Sequence, residues 1–400
     1  MSVTKDIAVD ELKESAELGR DNLVTILSSL VATKSVNPGI YEAEMAAKCA
    51  EWLKPTGAEV TLVESMPDRP SVGAVLKGSG GGPALVLNGH IDTVPIDDPE
   101  LWDTEPFTPT EKPDGFLYGR GSCDMKSGLT VQIAVAQHLA RQGKLKGDLV
   151  LHFAMGEECA EPGTLSLIQA GFVGDVGITT EPTDLRVATA ERGLAWFTIR
   201  VKGRSIHASR AHLGDNPNKR IPLVLEAVQS YENEISTREH PLCPGGSCTP
   251  TLIRAGVKEN AVPDYSEVTV DRRLIPGESI KDELALLGSH LERMKERDPG
   301  FDFEVRAWDN AFDAAEIPTD SPFAAQMAAT VSAVTGEECE IYGTPYSSDV
   351  RNLINDAGME AITFGAGNVA ECHCPNERVS VQQLEQAALS VAKITTDLLT

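Results

Sequence analysis

Apolar, strand-like runs that alternate with helical segments constrain the fold of this chain more than any other feature. Hydrophobic residues dominate each run, and the segments between the runs carry apolar residues at helical spacing. Strands that alternate with helices in this way form a largely parallel sheet with helices on both faces, which is a doubly wound α/β fold. The predicted strands lie at 84–87, 148–155, 176–179 and 361–364, and the predicted helices at 125–142, 164–170, 321–334 and from 380 onward.

Between residues 194 and 308 the pattern changes to strand, helix, strand, strand, helix, strand. The second of these helices is well marked, because Ser279 suits a helix N-terminus and apolar residues recur on one face from Ile280 onward. This order predicts a small inserted α+β domain. The α/β pattern then resumes, so the first domain is discontinuous. We predict a catalytic domain over 1–193 and 309–400, with the inserted domain over 194–308.

A formal charge of −25 and a pI near 4.7 limit the partners of the chain. Nucleic acids and anionic membranes would be repelled, so neither is expected to bind. The first residues contain no apolar signal segment and no run of about 18 apolar residues occurs, which predicts a cytoplasmic protein. The eight cysteines are then expected to be reduced thiols, with Cys243 and Cys248 the only pair close enough in sequence to suggest a disulfide.

Histidine and carboxylate residues follow the predicted parallel strands at the point where each strand ends. Ligands of open α/β sheets lie beyond the carboxyl ends of the strands, where the connecting loops converge. Four of these loops can therefore meet at one edge of the sheet. A fifth group, Asp124, stands where a glycine-containing turn enters a helix, which can direct its carboxylate into the same space. The residues in this set are His90, Asp124, Glu157, Glu158, Glu181 and His373.

Two imidazoles and three carboxylates without a thiolate form a donor set for divalent transition-metal ions. Zn²⁺ suits this set best, with Co²⁺ or Mn²⁺ as alternatives. Asp124, Glu158 and Glu181 together with one bridging hydroxide would balance the four positive charges of two ions. Two such ions about 3.5–4 Å apart polarise a carbonyl and lower the pKa of a bound water towards about 7. The sequence therefore predicts hydrolysis of an amide by a metal-activated water.

The adjacent residues Glu157 and Glu158 are expected to have different roles. Neighbouring side chains on an extended backbone point in opposite directions, so one can bind metal while the other faces the water. We assign Glu158 as a ligand and Glu157 as the general base that later protonates the leaving amine. Asp92 follows His90 by two residues and is placed to accept the second N–H of that imidazole.

Each of these motifs also has a simpler interpretation. A single Gly-His-x-Asp or Glu-Glu sequence is usually surface chemistry, and only the combination at matching strand ends favours a site. His152 lies within a predicted strand and is assigned to the core. The glycine-rich segment 77–83 could suggest a phosphate-binding loop, but no Lys-Ser/Thr follows it and no helix begins there. A hairpin turn is therefore predicted for it.

As a set, the motifs resemble the co-catalytic zinc hydrolases that include acetylornithine deacetylase, succinyl-diaminopimelate desuccinylase, aminoacylase and glutamate carboxypeptidase. The resemblance covers nearly the whole chain, and the motifs stand in the order found in that family. They are Gly-His-Ile-Asp-Thr-Val-Pro at 89–95, Tyr-Gly-Arg-Gly-Ser-Cys-Asp-Met-Lys at 118–126, Gly-Glu-Glu at 156–158, Thr-Glu-Pro at 180–182, Gly-Arg-Ser-Ile-His-Ala at 203–208, Asn-Ala-Val-Pro-Asp at 260–264, Asp-Arg-Arg at 271–273, Gly-Ala-Gly at 365–367 and His-Cys-Pro-Asn-Glu at 373–377.

The resemblance implies how the metal ligands are shared. His90, Asp124 and Glu181 would hold one ion. Asp124, Glu158 and His373 would hold the other, so that Asp124 bridges the two. The resemblance also implies that the inserted domain is a ferredoxin-like lid through which the chain forms a homodimer.

The same resemblance implies substrate-binding residues in both domains. His207 of the lid would donate a hydrogen bond to the tetrahedral oxyanion, either within its own subunit or across the dimer. Arg273 would bind a substrate carboxylate through two parallel hydrogen bonds. The remaining pocket would be formed by Asn260, Asp349, Arg351 and Gly365.

We therefore expect a dinuclear zinc amidohydrolase that removes an N-acyl group from an amino acid or related carboxylate-bearing amine. Acetylornithine deacetylase or succinyl-diaminopimelate desuccinylase is the nearest named activity. Glu181, where relatives can have Asp, resembles the deacylase and carboxypeptidase branch of the family. A carboxypeptidase or dipeptidase that cleaves short peptides at the same site is the alternative. An alternative of another class is a binding protein that retains metal without catalysis, in which Glu157 would have no use as a base.

Overall fold

Helices and strands alternate along most of the chain in the computed structural model, which describes residues 9–400. The helices are α1 (Val9–Lys13), α2 (Arg20–Ala32), α3 (Ala43–Leu53), α4 (Lys126–Gln142), α5 (Gly163–Gln169), α6 (Ile221–Ile235), α7 (Ile280–Arg293), α8 (Pro322–Thr335) and α9 (Val381–Leu399). The strands are β1 (Glu59–Met66), β2 (Arg69–Leu76), β3 (Leu85–His90), β4 (Thr110–Glu111), β5 (Phe116–Tyr118), β6 (Leu149–Ala154), β7 (Val176–Thr179), β8 (Val187–Glu191), β9 (Gly193–Lys202), β10 (Ile206–His207), β11 (Ser247–Ala255), β12 (Ala261–Val262), β13 (Tyr265–Leu274), β14 (Phe303–Ala307), β15 (Ala315–Glu316), β16 (Ile341–Thr344), β17 (Glu360–Thr363) and β18 (Arg378–Ser380).

Four neighbouring parallel strands form the centre of the large sheet. The sheet runs in the order β1, β2, β6, β3, β7, β17, β8, and the pairs from β6 to β17 are parallel. Leu87 of β3 lies beside Leu151 on one side and Ile178 on the other. Because these strands run in the same direction, their carboxyl ends meet at one edge of the sheet. The prediction of an α/β fold built on a mainly parallel sheet is confirmed.

Helices cover both faces of this sheet. Leu85 and Leu87 of β3 belong to a large core that also contains Leu129 of α4 and Leu384 of α9. Val86, which lies between those two leucines, belongs to a separate apolar cluster with Val350, Leu353 and Met359. Successive side chains of a strand point to opposite faces, so burial of all three residues means that both faces are packed.

The glycine-rich segment 77–83 is not the predicted hairpin turn. Strand β6 lies between β2 and β3, so the segment connects two strands that do not pair with each other. A Cβ on Gly78 would lie 2.4 Å from the backbone of Lys146, and one on Gly82 would lie 2.6 Å from the nitrogen of Gly147. The glycines are therefore needed for close backbone approach to the loop that precedes β6. The hairpin lies instead between β1 and β2.

The chain divides into two compact units. The first comprises the described residues up to Thr189 together with Ile317–Tyr342 and Ser348–Thr400, and the second comprises Ala190–Glu316 and Gly343–Ser347. The chain passes from the first unit to the second within β8. None of the helices in 9–400 is both long enough and apolar enough to span a bilayer.

The second unit has the strand order of a ferredoxin-like fold. Its antiparallel sheet runs β14, β9, β13, β11, and the connections after β9 and β13 contain α6 and α7. The side chain of Ser279 accepts a hydrogen bond from the backbone N–H of Asp282 at the start of α7. Leu287 and Leu291 of that helix are buried in the core of this unit. The prediction of an inserted ferredoxin-like α+β domain is confirmed.

His152 of β6 is a core residue, as predicted from its place in a strand. Its ring is fully buried, and Nε2 donates a hydrogen bond to the backbone oxygen of Phe172 over 2.9 Å. Burial lowers the pKa of this imidazole to about 4. The folded protein therefore keeps His152 neutral at pH values where the unfolded chain, with a pKa near its usual 6.5, takes up a proton.

We expect His152→Gln to lose less stability than the parent protein when the pH falls from 7 to 5. The parent should lose about 2 kcal/mol through this one group, because the unfolded state binds the proton over that window. Thermal or urea unfolding of both proteins in the presence of a chelator measures the difference without a contribution from bound metal. Equal pH dependence in the two proteins would contradict the assignment.

Candidate metal centre

The carboxyl ends of the parallel strands bring the predicted acidic and imidazole residues together. His90 is the last residue of β3, and Glu181 follows β7 by two residues. Glu157 and Glu158 form a short 3-10 turn just after β6, and His373 lies in the loop after β17. The expectation of extended backbone at Glu157 was wrong, because this turn bends the chain where it leaves the sheet.

Asp124 lies between the two imidazoles. Its Oδ1 is 3.1 Å from Nε2 of His90, and its Oδ2 is 3.2 Å from Nε2 of His373. On one side Nε2 of His90 is also 3.4 Å from Oε1 of Glu181. On the other side Nε2 of His373 is 3.0 Å from Oε2 of Glu158. The five side chains thus form two adjoining groups that share the Asp124 carboxylate.

The tautomer of His90 follows from its contacts. Nδ1 lies 3.0 Å from the backbone oxygen of Asp92, and a carbonyl oxygen can only accept, so Nδ1 carries the proton. In the neutral ring Nε2 then offers a lone pair toward carboxylate oxygens of Asp124 and Glu181. With the ring neutral, this nitrogen and the two carboxylate oxygens are three acceptor atoms that a cation could bind.

Electrostatics give the same indication. Burial and the nearby Asp124 carboxylate raise the pKa of Glu158 to about 7, and they do the same for Glu181. Hydrogen bonds to Asp124 and Glu158 raise the pKa of His373 to about 11. The centre therefore concentrates more negative charge than the surrounding side chains offset. A donor set of two imidazoles and three carboxylates fits divalent Zn²⁺, Co²⁺ or Mn²⁺.

Glu157 lies at the same centre, but its ion-pair partner is farther away than that of Glu158. One of its oxygens lies within 4.8 Å of ligand atoms of both His90 and Glu181. Its Oε1 is 4.0 Å from a guanidinium nitrogen of Arg351. Burial raises the pKa of Glu157 well above its usual value, and the neighbouring carboxylates Asp349 and Glu181 act in the same direction. The carboxyl group of Glu157 therefore binds a proton more readily than a free glutamate does, as a group that accepts a proton from water requires.

Asp92 holds the turn that carries the two glutamates. Its Oδ1 accepts backbone N–H groups of Gly156 and Glu157, each over 3.1 Å, and its Oδ2 accepts that of Glu158 over 3.2 Å. Nδ1 of His90 lies 3.4 Å from Oδ1 of the carboxylate predicted to accept its proton, and the Asp92 backbone oxygen is nearer, at 3.0 Å. Asp92 therefore fixes the positions of residues on two strands.

Glu377 plays the same part on the opposite side of the centre, and sequence reasoning missed it. Its Oε1 accepts the backbone N–H groups of Cys123 and Asp124 over 3.0 Å each. Its Oε2 accepts the N–H of Gly121 over 3.0 Å and a guanidinium N–H of Arg120 over 2.7 Å. Glu377 ends the His-Cys-Pro-Asn-Glu motif at 373–377, which was the available signal. That motif gave no indication of what the carboxylate binds.

Asn37 is a second residue that sequence reasoning missed. Its side-chain amide donates to Oδ2 of Asp92 and to Oε2 of Glu161, each over 2.9 Å. Glu161 in turn is bound by Arg69, whose guanidinium also forms a buried ion pair with Glu42. The orientation of Asp92 thus depends on a network that reaches α3 and β2.

The remaining predicted pocket residues of the first unit have clear surroundings. Asp349 is buried, and its Oδ2 accepts a hydrogen bond from the hydroxyl of Thr164 over 2.6 Å. Oδ1 of Asp349 lies 3.4 Å from a guanidinium nitrogen of Arg351. Gly365 packs against the backbone at Glu181, where a Cβ would lie 2.6 Å from its carbonyl oxygen. Gly365 is therefore explained by close packing beside Glu181.

The predicted substrate residues of the second unit lie in two places. His207 in β10 pairs with Ala261 in β12, and the backbone oxygen of Asn260 accepts the N–H of Ala208. His207 and Asn260 are both exposed. Arg273 lies near the end of β13, where its Nε donates to Asp271 over 2.9 Å.

A comparison with known protein families identifies the family of this chain. Residues 86–397 match the description Peptidase family M20/M25/M40. The chain belongs to peptidase family M20/M25/M40. Membership makes it a hydrolase of the amide-bond class, and it confirms the resemblance drawn from the motifs.

Relatives within the M20/M25/M40 family include enzymes that remove acyl groups. The chain is 26% identical to N-formyl-4-amino-5-aminomethyl-2-methylpyrimidine deformylase of Halalkalibacterium halodurans, over 94% of each chain. It is 28% identical to acetylornithine deacetylase of Photorhabdus laumondii, over 90% of this chain and 92% of that protein. A tripeptidase from Staphylococcus aureus has the same fold, with a TM-score of 0.77 at 19% identity over 94% of this chain and 97% of the other.

For this M20/M25/M40 member we expect Glu377→Gln to weaken metal binding by roughly 10–100-fold, as loss of a group that orients ligands generally does. A glutamine offers one acceptor oxygen, so backbone amides of the 121–124 turn would lose their partner. Competition with a chromogenic chelator measures the affinity. Glu371→Gln is the matched control, since Glu371 forms a partly exposed ion pair with Arg378. Equal affinities in all three proteins would contradict this role for Glu377.

Proposed function

We propose that this protein is a metal-dependent amidohydrolase that removes an N-acyl group from an amino acid or a related carboxylate-bearing amine. One observation carries the proposal. The Asp124 carboxylate lies between two imidazoles, and Glu157 lies beside this group. The named activities of the deformylase and the deacetylase support the N-acyl class. Acetylornithine deacetylase or succinyl-diaminopimelate desuccinylase remains the nearest named activity.

The metal ligands we propose are those implied by the motifs. His90, Asp124 and Glu181 would hold one divalent ion, and Asp124, Glu158 and His373 the other. Two bound ions, most suitably Zn²⁺ with Co²⁺ or Mn²⁺ as alternatives, would supply Lewis acidity toward the substrate carbonyl and toward water. The distances of 3.0–3.4 Å between the imidazole nitrogens and the carboxylate oxygens support this division.

Glu157 is our proposed general base. It would take a proton from the attacking water and pass that proton to the nitrogen of the leaving amine. Its raised pKa supports this role, because a higher pKa makes the carboxylate a stronger base toward the attacking water. Asp92 would act by fixing His90 and the turn that carries Glu157, without touching the substrate.

We propose a lid role for the inserted domain over 194–308, with the catalytic domain over 1–193 and 309–400. His207 would donate to the oxyanion, and Arg273 would bind the substrate carboxylate. Asn260 would line the pocket from the lid. Asp349, Arg351 and Gly365 would shape the pocket from the catalytic domain. Arg351 lies near both Glu157 and Asp349, and Gly365 packs against the backbone of Glu181.

The lid would also form a homodimer. Strand β11 is the last strand in the sheet order of the second unit, so one of its edges is available for pairing. Leu252 and Ile253 on this strand are exposed, which is unusual for neighbouring large apolar residues. We expect the protein to act in the cytoplasm on small-molecule substrates, without nucleic acid or membrane partners.

Two other functions compete with this proposal. A carboxypeptidase or dipeptidase would use the same centre and base on a terminal peptide bond, and the tripeptidase fold is compatible with it. A binding protein that keeps its metal without catalysis would need no base. The position of Glu157 beside His90 and Glu181 favours an enzyme over such a protein.

We expect Glu157→Gln to keep its metal content and to lose roughly 10²–10⁴-fold in turnover, because the amide cannot accept the proton of the water. Elemental analysis of the dialysed protein and initial rates on the same sample separate the two properties. Glu338→Gln, a change in the first unit outside the centre, is the control for loss of one carboxylate. A near-parental rate for Glu157→Gln would remove it from the base role.

A panel of amides tests the substrate class. We expect turnover of N-acetyl or N-succinyl amino acids to exceed that of dipeptides, since the acyl side of the bond cleaved in our proposal is a simple acyl group and not an aminoacyl residue with a free amino group. The panel should include the matching N-acyl amino acid amides. It should also include N-formyl-4-amino-5-aminomethyl-2-methylpyrimidine, an N-acyl compound without a carboxylate group. Turnover of dipeptides alone would favour the peptidase, and inactivity of the metal-loaded protein on every member would favour the binding protein.

Arg273→Ala extends this panel. Removal of the guanidinium should raise KM for N-acyl amino acids and leave the matching amides unchanged, because only the free acids offer two carboxylate oxygens. Equal losses on acids and amides would contradict the proposed carboxylate contact.

A further inference from the structure

Two cysteines that the proposed reaction does not use lie in contact beside the metal centre. Cys123 immediately precedes Asp124, and Cys372 immediately precedes His373. Their sulfur atoms are 3.6 Å apart, although the residues are separated by 249 positions in the sequence. Both thiols face the backbone oxygen of Asn368, at 3.5 Å from Cys123 and 3.7 Å from Cys372. All eight cysteines of the chain are free thiols in this structure.

The two cysteines of the pair differ in their exposure to solvent. Cys123 is fully buried, whereas Cys372 is partly exposed. Gly367 lies against the buried sulfur, and a Cβ at this glycine would be only 2.5 Å from it. Of the two residues, Cys372 is therefore the one open to a thiol reagent from solvent. The sulfur of Cys123 lies next to that of Cys372, on its buried side.

We propose that Cys123 and Cys372 form a reversible disulfide that links the two turns carrying Asp124 and His373. The co-reactant is a low-molecular-weight disulfide. The sulfur of Cys372 attacks it and forms a mixed disulfide, releasing one small thiol. The sulfur of Cys123 then attacks Cys372 and releases the second small thiol. One S–S bond forms in the protein and one breaks in the reagent, and the two protein thiols transfer two electrons and two protons to the reagent.

The bond would change the metal centre because of where its sulfurs are attached. Disulfide sulfurs are about 2.05 Å apart, so the two atoms must approach by about 1.5 Å from their present separation. Part of that movement passes to the neighbouring residues Asp124 and His373, whose side chains are 3.2 Å apart. Displacements of about 1 Å at a reacting centre can lower turnover roughly 10²-fold. This consequence for turnover rests on the proposed function, but formation of the bond does not.

The test treats the full-length, zinc-loaded protein with oxidised glutathione. The thiolate is the attacking species in this exchange, so the reaction is run at about pH 8.5, near the usual pKa of a cysteine, for many hours. We expect the titre of free thiols to fall from eight to six and the intact mass to fall by two hydrogen atoms. Peptide mapping without reduction should recover one linked pair that contains Cys123 and Cys372. Dithiothreitol should restore all eight thiols.

Three variants make the test specific. Cys372→Ser and Cys123→Ser should each fail to form the linked pair, and Cys372→Ser, at the partly exposed position, covers the case in which the buried change prevents folding. Cys374→Ser is the matched control. Its residue flanks His373 on the other side, and its sulfur contacts the backbone oxygen of Glu371 at 3.2 Å. This variant should form the disulfide as the parent does.

The outcomes separate the bond from its consequence. Retention of eight thiols, a stable glutathione adduct on Cys372, or linked peptides from another pair would each overturn the proposal. Formation of the bond with a tenfold or greater, dithiothreitol-reversible loss of turnover would support both the bond and its effect. Formation of the bond with unchanged turnover would overturn the effect alone. A protein without amidohydrolase activity can still be scored by mass and thiol titre, so failure of the proposed function would be recognised separately.

Discussion

Two buried carboxylates that accept backbone amides determine the geometry of the candidate metal centre. Asp92 accepts three N–H groups from the 156–158 turn, and Glu377 accepts three from the 121–124 turn. Each turn carries residues of the centre, and neither belongs to regular secondary structure that could fix it by ladder hydrogen bonds. A charged acceptor with several N–H donors makes strong, directional contacts in a buried environment. The centre is therefore built on polar contacts to the backbone as much as on the sheet.

Because of these contacts, the carboxylates at the centre stay close together despite their mutual repulsion. Asp124 lies between two imidazoles, and burial together with the nearby charge raises the pKa values of Glu158 and Glu181. Side chains free to move would separate to reduce this repulsion, but short turns fixed at their backbone atoms cannot. A preorganised cluster of acceptors is what a divalent cation requires. The fixed 121–124 turn also carries Cys123, whose sulfur contacts that of Cys372, so the carboxylate geometry and the thiol contact share part of one structural cause.

Much of the fold and the centre could be predicted from local sequence. The strand ends at His90 and at residues 154, 179 and 363 were recognisable because apolar runs stop there and polar residues follow. The glycine segment 77–83 was misjudged, because local turn chemistry cannot reveal that another strand lies between β2 and β3. Glu377 and Asn37 were missed as functional residues for a similar reason. Their partners lie far away in the sequence, and a carboxylate or an amide has no local pattern that identifies a distant acceptor or donor.

The sequence by itself determined which elements form and which side chains are available as donors at the strand ends. Hydrophobic periodicity and residue chemistry are local properties, and parallel strands must end at a common edge. Only the tertiary structure decided that Asp92 binds the 156–158 turn, that Glu377 binds the 121–124 turn and that two cysteines 249 positions apart touch. Each of these contacts joins segments whose separation in space depends on the packing of the whole unit, which no short stretch of sequence encodes.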